Sequence, residues 1–385
     1  MKKAMLISCF GWYERRIKPV CNVLKKEYEI QIFIGDFIHS TKERVKEKNE
    51  NCKYIHVKSY KKNISIYRLF SHLNFSYHIK NVIEKERPDL LYVLMPPNSV
   101  GYVCRKYRIK HKESKLILDL IDMWPESMPL GNFIYSFPAQ LWKRMRDESL
   151  QTADFVFTEC KLYAELLQDI IKDKTLPLYL LKYQSDEEKK LVINKVNKIK
   201  NIEEKRDITI AYVGSINNII DIDCIIKVLK LLAREYRVTV RIIGDGENRK
   251  YFVSALNEFD IIVEFFGKIF DERKKIDILA GCDIALNIMK PSVNVGLTIK
   301  SIDYFSYGLP IINTIRGDTW ELIEKYNIGY NVNVIEENLL KYIRKLKRED
   351  HLHVMEVYEK IFSEEAFTMQ IEKCLKKIDS EEQKW

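Results

Sequence analysis

The chain has 385 residues, 46% hydrophobic and 31% charged, with 13 Gly and 10 Pro. This exceeds one ordinary core and suits two domains, and it excludes collagen, low-complexity polymer and wholesale disorder. The net charge of +9 is uneven: residues 1–180 hold 31 Lys and Arg against 21 Asp and Glu, the remainder 33 against 34. The basic first half is either a solvated face or an attractor for nucleic acid, an anionic membrane surface or a phosphorylated substrate.

The opening MKKAMLISCFGWYERR imitates a signal peptide, but its apolar part of about seven residues runs into Glu14 without a cleavage pattern. We read residues 4–10 as a first strand stopped by Gly11. A basic helix follows at 15–27, then a strand at 29–34 stopped by Gly35. Further strands are expected at 54–57, 90–94, 116–121 and 155–158, with helices at 67–85, 139–151 and 162–171. The longest uncharged run, 90–104, is broken by Pro96-Pro97 and falls short of the ~18 apolar residues of a membrane span. Residues 183–206, rich in charge, read as an exposed connector. The opening plan then recurs: a strand at 208–213 stopped by Gly214-Ser215, an amphipathic helix at 221–236, and a strand at 238–243 stopped by Gly244-Asp245-Gly246. Strands at 263–267 and 283–287 continue it, and a charged helix at 354–377 closes the chain. Two doubly wound α/β domains in tandem follow: 1–182, a linker 183–206, 207–353, and a terminal segment 354–385 crossing back to the first domain.

In such sheets ligands sit beyond the carboxyl ends of the strands. No Walker A, GxGxxG, HExxH or GxSxG sequence occurs, which removes support from an ATPase or a standard NAD enzyme. The eight cysteines are scattered singly, without CxxC or zinc spacing, as in a reduced cytoplasmic protein. The seven histidines avoid the expected strand ends. The most informative segment is 290–329, KPSVNVGLTIKSIDYFSYGLPIINTIRGDTWELIEKYNIG. A Gly-containing loop precedes a helix starting near Thr298, whose free amides form an anion site. Lys300 would add a cation, and Asp303, one turn on, could accept both ribose hydroxyls of a nucleotide. The other reading is that Lys300 and Asp303 form a surface pair.

This segment resembles the retaining glycosyltransferases of family 4, with the two-Rossmann GT-B fold, over nearly the whole chain. Aligned on Gly308-Leu309-Pro310, the family's second signature glutamate falls on Asp303 and the first on Val295, so that Asn294 or the amides of Val295 and Gly296 would replace the missing donor-sugar contact. DLIDMWPES at 119–127, AYVGSI at 211–216, IIGDGE at 242–247 and KSIDYFSYGLPIINT at 300–314 are similar to a bacterial branch building capsule, colanic acid and O-antigen, with fucosyl- and N-acetylfucosaminyltransferases. Ile121 departs from that branch, which carries Arg there.

The resemblance implies a retaining transferase without an obligatory metal or other cofactor. It would use a nucleotide-sugar donor, a UDP-sugar ahead of a GDP-sugar, and no nucleic acid. Donor contacts would come from Gly11, Gly214, Ser215, Gly244, Asp245, Lys268, Ile269, Thr298, Ile299, Lys300 and Asp303. Asp122 would orient an acceptor hydroxyl or take its proton, with Glu126 as a second carboxylate; Trp124 would offer an apolar face to a sugar, and Arg15, Arg16 or Lys18 would reach phosphates. The alternative for the motif is that Trp124-Pro125 are core and Glu126 caps a helix. A polyprenyl-diphosphate-linked acceptor at the inner leaflet would suit the basic first domain, making the enzyme cytoplasmic and peripheral on the plasma membrane. Phe133 to Arg146 combine aromatic and basic residues fit for that interface, or pack into their own domain through Phe137, Leu141 and Met145. The competing functions are a sugar-nucleotide 2-epimerase and a non-catalytic binder of membrane or anionic polymer.

Overall fold

A run of apolar residues with lysines only at its start cannot face water along one side, and β1 (Lys2–Ser8) is buried from Ala4 onward. It lies inside a parallel sheet with helices over both faces, where strands become continuously apolar. The computed structural model describes every residue except Trp12, Ser40, Asn63, Ile64, Pro129, Leu130, Asp260, Asn294, Glu336 and 383–385, with backbone alone for 379–382. The chain divides into two units, Met1–Leu181 with Phe367–Trp385, and Lys182–Ala366.

In the first unit β1 is followed by β2 (Tyr28–Gly35), a small antiparallel ladder of β3 (Phe37–Ile38) and β4 (Glu43–Arg44), and β5 (Cys52–Ile55). β6 (Leu90–Met95), β7 (Lys115–Leu120), β8 (Phe155–Thr158) and β9 (Thr175–Pro177) complete a seven-stranded sheet. Its order is β5-β2-β1-β6-β7-β8-β9, parallel throughout. The expected helix at 15–27 opens as a π-helical turn at Tyr13–Ile17 and continues as α1 (Lys18–Leu24), with Pro19 in its first turn, where no amide hydrogen bond is lost. Ser65 caps α2 (Ile66–Glu86) by accepting from Arg68 N. α3 (Asn98–Lys110) and α4 (Phe137–Thr152) follow. The helix expected at 162–171 is two, α5 (Lys161–Leu166) and α6 (Gln168–Ile171), broken at the buried Leu167.

The interval 183–206 is not a free connector but part of the second unit. A Ser185–Glu188 capping box starts α7 (Asp186–Val196), and Val192, Val196 and Ile202 are buried. Charge hides this because only one face of that helix is apolar. The unit's sheet comprises β10 (Asp207–Val213), β11 (Arg237–Ile243), β12 (Ile261–Gly267), β13 (Ile284–Asn287), β14 (Ile311–Asn313) and β15 (Gly329–Asn331), ordered β12-β11-β10-β13-β14-β15. Around it lie α8 (Ile222–Leu232), capped by Asp221, α9 (Arg249–Asn257), α10 (Glu272–Leu279), capped by Asp271, and α11 (Ile299–Ser306). α12 (Asp318–Tyr326), α13 (Glu337–Arg344) and α14 (Arg348–Phe362) follow. Ile225, Val228, Leu229 and Leu232 of α8 are fully buried against β10 and β11 residues, each contributing about 1.5–3 kcal/mol of transfer free energy.

The terminal helix is also two. The chain turns extended at Ser363 before α15 (Glu364–Glu382). Phe367, Ile371, Cys374 and Ile378 then join Ile17, Val20 and Leu24 in the core of the first unit.

Candidate functional site

At the carboxyl edge of the second unit's sheet, three strands end in turns that hold one another. Gly214 N donates to Ile243 O at 3.0 Å, Gly244 N to Gly267 O at 2.8 Å and Ile216 N to Asp245 O at 3.0 Å. Gly244 has φ 152°, and a Cβ there would strike the Gly214 carbonyl oxygen, so only glycine lets the turns meet. Asp245 lies 3.6 Å from Arg249 and 3.9 Å from Lys268. Ser215 and Lys268 are exposed and Ile269 is half-buried.

Beside these turns begins α11. Thr298 caps it, accepting from Ser301 N at 3.1 Å and contacting Asn287 Oδ1 at 3.2 Å. Asn287 donates to Asn313 and Asn313 to Asn331, each at 2.8 Å, so the last residues of β13, β14 and β15 form an in-register ladder of asparagines that fixes where the helix starts. Gly296 O accepts from both Thr319 N and Thr319 Oγ1 at 2.8 Å, which anchors the segment before the cap. Val295 is half-buried beside it and Ile299 stands exposed on the first turn. Asn294 lies outside the described residues.

Lys300 is buried, and its Nζ has no hydrogen-bond partner. The ammonium sits 5.5 Å from the centre of the Tyr212 ring, and its Cδ is 3.8 Å from where a Cβ on Gly214 would stand. Burial pulls its pKa down to about 7. Such a group is relieved either by losing its proton or by meeting an anion. Asp303 is buried too, but it does not pair with Lys300. Its Oδ1 lies 2.7 Å from Lys182 Nζ, which also approaches Glu272 Oε1 at 2.7 Å and donates to Tyr307 Oη at 3.0 Å. The surface-pair reading of Lys300 and Asp303 is therefore wrong on both counts. Lys182 was invisible in the sequence; only the fold brings it to a residue 121 positions away.

The first unit gathers the DMWPES segment at the ends of β6 and β7. Asp122 accepts from Trp124 Nε1 at 2.8 Å, and burial pushes its carboxyl above the ordinary carboxylate range. Gly11 has open space where a side chain would stand, and Arg15 is half-buried. Three expectations fail here. Arg16 is fully buried in a bidentate pair with Asp119, both bonds 2.6 Å, so it cannot reach an acceptor. Glu126 is held by Arg146 at 2.5 and 2.9 Å and approached by Lys143 at 3.3 Å. Burial raises its pKa, but the Arg146 guanidinium more than offsets this and leaves it below the usual value. Glu126 is an anchor, not a base. Trp124 is buried, with the Arg68 guanidinium 4.3 Å above its ring and His72 stacked 5.7 Å away, so it offers no open platform.

Sequence reasoning also missed His72. It is buried among Phe10, Tyr60 and Trp124, with neither ring nitrogen hydrogen-bonded, and burial lowers its pKa to about 3. Its signal was position: it lies near the start of a helix, and helices in a parallel sheet start at the carboxyl edge. Among the described residues no three His, Cys, Asp or Glu come together as a metal site, and no helix is long and apolar enough to cross a membrane.

The two units, each a parallel sheet with ligand-ready turns at its carboxyl edge, define a GT-B architecture, and comparison with known proteins agrees. The sucrose-phosphate synthase of Thermosynechococcus elongatus superposes with a TM-score of 0.67 at 14% identity, covering 99% of this chain and 100% of its own. Anabaena HepE in complex with UDP-glucose gives 0.62 at 12% over 98% and 100%, and the lipopolysaccharide outer core galactosyltransferase WaaB gives 0.64 at 13% over 97% and 99%. At such identities the likeness carries the fold. Residues 207–348 match the family described as Glycosyl transferases group 1. No curated protein matches the chain by sequence. The family match covers most of the second unit and supports a glycosyltransferase enzyme.

Proposed function

We propose that this enzyme is a retaining hexosyltransferase that takes a nucleotide-diphosphate sugar, a UDP-sugar ahead of a GDP-sugar, and glycosylates a polyprenyl-diphosphate-linked saccharide of a bacterial surface polysaccharide. The observation that carries the donor half is Lys300: a buried, unpartnered amine beside the Gly214 turn, on the first turn of a capped helix. A diphosphate would restore its charge and meet the helix amides, so the leaving group is stabilised by amides and a cation without an obligatory metal. Asp303, with one oxygen held by Lys182, presents its carboxylate to the ribose. HepE, with the same fold, binds UDP-glucose.

In the first unit, Asp122 orients the acceptor hydroxyl or takes its proton; its raised pKa suits that task. The basic excess of residues 1–180 favours a diphosphate-linked acceptor on the anionic inner face of the plasma membrane. Capsule, colanic acid or O-antigen synthesis is the setting the DMWPES motif suggests.

The test is a thermal-shift and calorimetric screen of UDP, GDP, TDP and their sugars. One class should bind, and Lys300→Met and Asp303→Ala should each weaken it at least tenfold. If no nucleoside diphosphate binds the wild type, or Asp303→Ala binds equally well, the placement of the donor site is wrong.

A further inference from the structure

Trp124, expected to face a sugar, turns to Asp122 instead. The one polar atom of its buried ring, Nε1, donates to Asp122 Oδ2 at 2.8 Å. An indole N–H can only donate, and a buried one needs an acceptor within reach. Here the acceptor is a half-buried carboxylate two positions back. Packing alone would be served by phenylalanine; what tryptophan adds is the N–H.

The ring is held from several directions. The Arg68 guanidinium lies 4.3 Å over it and His72 stacks at 5.7 Å, while Phe10 and Trp142 meet it edge-on at 6.2 and 5.7 Å. Its backbone is pinned as well: Trp124 O accepts from Asn98 Nδ2 at 3.0 Å and from Arg146 Nη1 at 3.3 Å. Residues of α2, α3 and α4 together therefore aim one N–H at one oxygen of Asp122.

We propose that Trp124 is the positioning residue of Asp122, its indole N–H fixing Oδ2 so that the carboxyl group is aimed at the acceptor hydroxyl. The acceptor's part in this rests on the transferase reading above; the clamp rests on the contacts. A carboxyl group with one oxygen held no longer turns freely about its last bond, and misplacing a reacting group by ~1 Å costs on the order of 10²-fold in rate. The same bond acts on charge. Burial pushes the Asp122 carboxyl above the ordinary range, while hydrogen bonds from Ser127, Trp124 and the Met123 amide, and the Arg68 charge, favour the ionised form. Of the other titratable groups nearby, Arg146 is taken up by Glu126 and Asp147, and burial keeps His72 neutral above about pH 3. His39 and Lys42 gather at Tyr60, whose ring centre lies 5.8 Å from Arg68.

The experiment is a pH titration of the indole N–H resonances of the isotope-labelled full chain, the Trp124 signal being identified by its loss in Trp124→Phe. In wild type that signal should follow the ionisation of Asp122, and in Asp122→Asn it should stop doing so. Arg68→Met should move the titration to higher pH. With substrates, Trp124→Phe should lower kcat about 10–100-fold and leave the donor KM unchanged. Its acid limb should also shift to higher pH, since a donor to the ionised carboxylate is gone. A merely loosened core would do the opposite, admitting water to Asp122 and moving the limb down. An indole signal that ignores Asp122, an unmoved or downward shift in either variant, or full kcat in a folded Trp124→Phe protein would overturn the proposal. The indole titration needs no substrate, so if it holds while the wild type transfers no sugar, the transferase reading fails alone.

Discussion

Lys182 Nζ lies 2.7 Å from Asp303 Oδ1, with both side chains buried, and the same ammonium reaches Glu272 at 2.7 Å. One cation therefore holds two carboxylates, one of them on the helix that begins beside Lys300. Removing it strands the buried Asp303 and takes one of two cations from the half-buried Glu272. We expect Lys182→Met to destabilise the second unit by about 3–5 kcal/mol, and Asp303→Asn in that background to add less than it does alone, because the two share one interaction. A double-mutant cycle in urea checks this; strict additivity would show that the pair is not coupled.

If Lys300 meets the donor diphosphate as proposed, it links pH to ligand binding. Burial holds its pKa near 7 in the free protein, and a bound diphosphate raises it, so binding takes up a proton above that pH. Affinity for a nucleotide sugar should be insensitive to this group below about pH 7 and weaken by up to about tenfold per unit above it. Stability runs the other way: the unfolded chain binds this proton until about pH 10.4, so the apo protein gains stability as pH rises from 7 toward that value. Lys300→Met should abolish both slopes and raise apo stability at pH 7 by on the order of 3 kcal/mol, while losing the ligand. Calorimetry in buffers of different ionisation enthalpy reads the proton uptake directly.

Asp122 and Glu126 should separate cleanly. If Asp122 takes the acceptor's proton, as one form of the proposal has it, its raised pKa places the acid limb of the rate profile above the ordinary carboxylate value. Activity should fall as pH drops through it, and Asp122→Asn should remove that limb and lower kcat by about 10²–10⁴. Glu126→Gln takes one of two carboxylates from the buried Arg146, which keeps Asp147 at 2.8 Å, so its effect should appear in the melting temperature. A large kcat loss in a fully stable Glu126→Gln protein would restore Glu126 as a catalytic candidate.

His72 should prove a stability burden. Its two ring nitrogens lack partners, and burial lowers its pKa to about 3. The unfolded chain binds a proton near pH 6.5 that the folded chain refuses, so stability is lost as pH falls from 6.5 toward 3. His72→Phe keeps the aromatic packing and removes both polar atoms, and should gain about 1–3 kcal/mol and flatten that acid slope. Chemical denaturation at pH 7 and 5 decides it; a destabilised variant would mean that the imidazole is satisfied in solution.

Much of the architecture was legible because its causes are local. Apolar runs stopped by Gly11, Gly35, Gly214 and Gly244 fix buried parallel strands, and Asp221, with the amphipathic pattern after it, fixes α8. The helix breaks at Leu167 and Ser363 were not legible, since periodicity continues across them and only packing interrupts it. Residues 183–206 were misjudged for a related reason: an abundance of charge masks a narrow buried stripe.

By itself the sequence determined two doubly wound sheets, where the turns at their carboxyl edges fall, and the candidacy of Lys300, Asp303 and Asp122. Tertiary structure decided which charges are spent. Arg16 goes to Asp119, Glu126 to Arg146 and Asp303 to Lys182, while Lys300 keeps no partner. Strand and helix preferences act over a few neighbouring residues, but a buried charge is paired by whatever the folded chain brings within a few ångströms, and those partners lie 20, 103 and 121 positions apart.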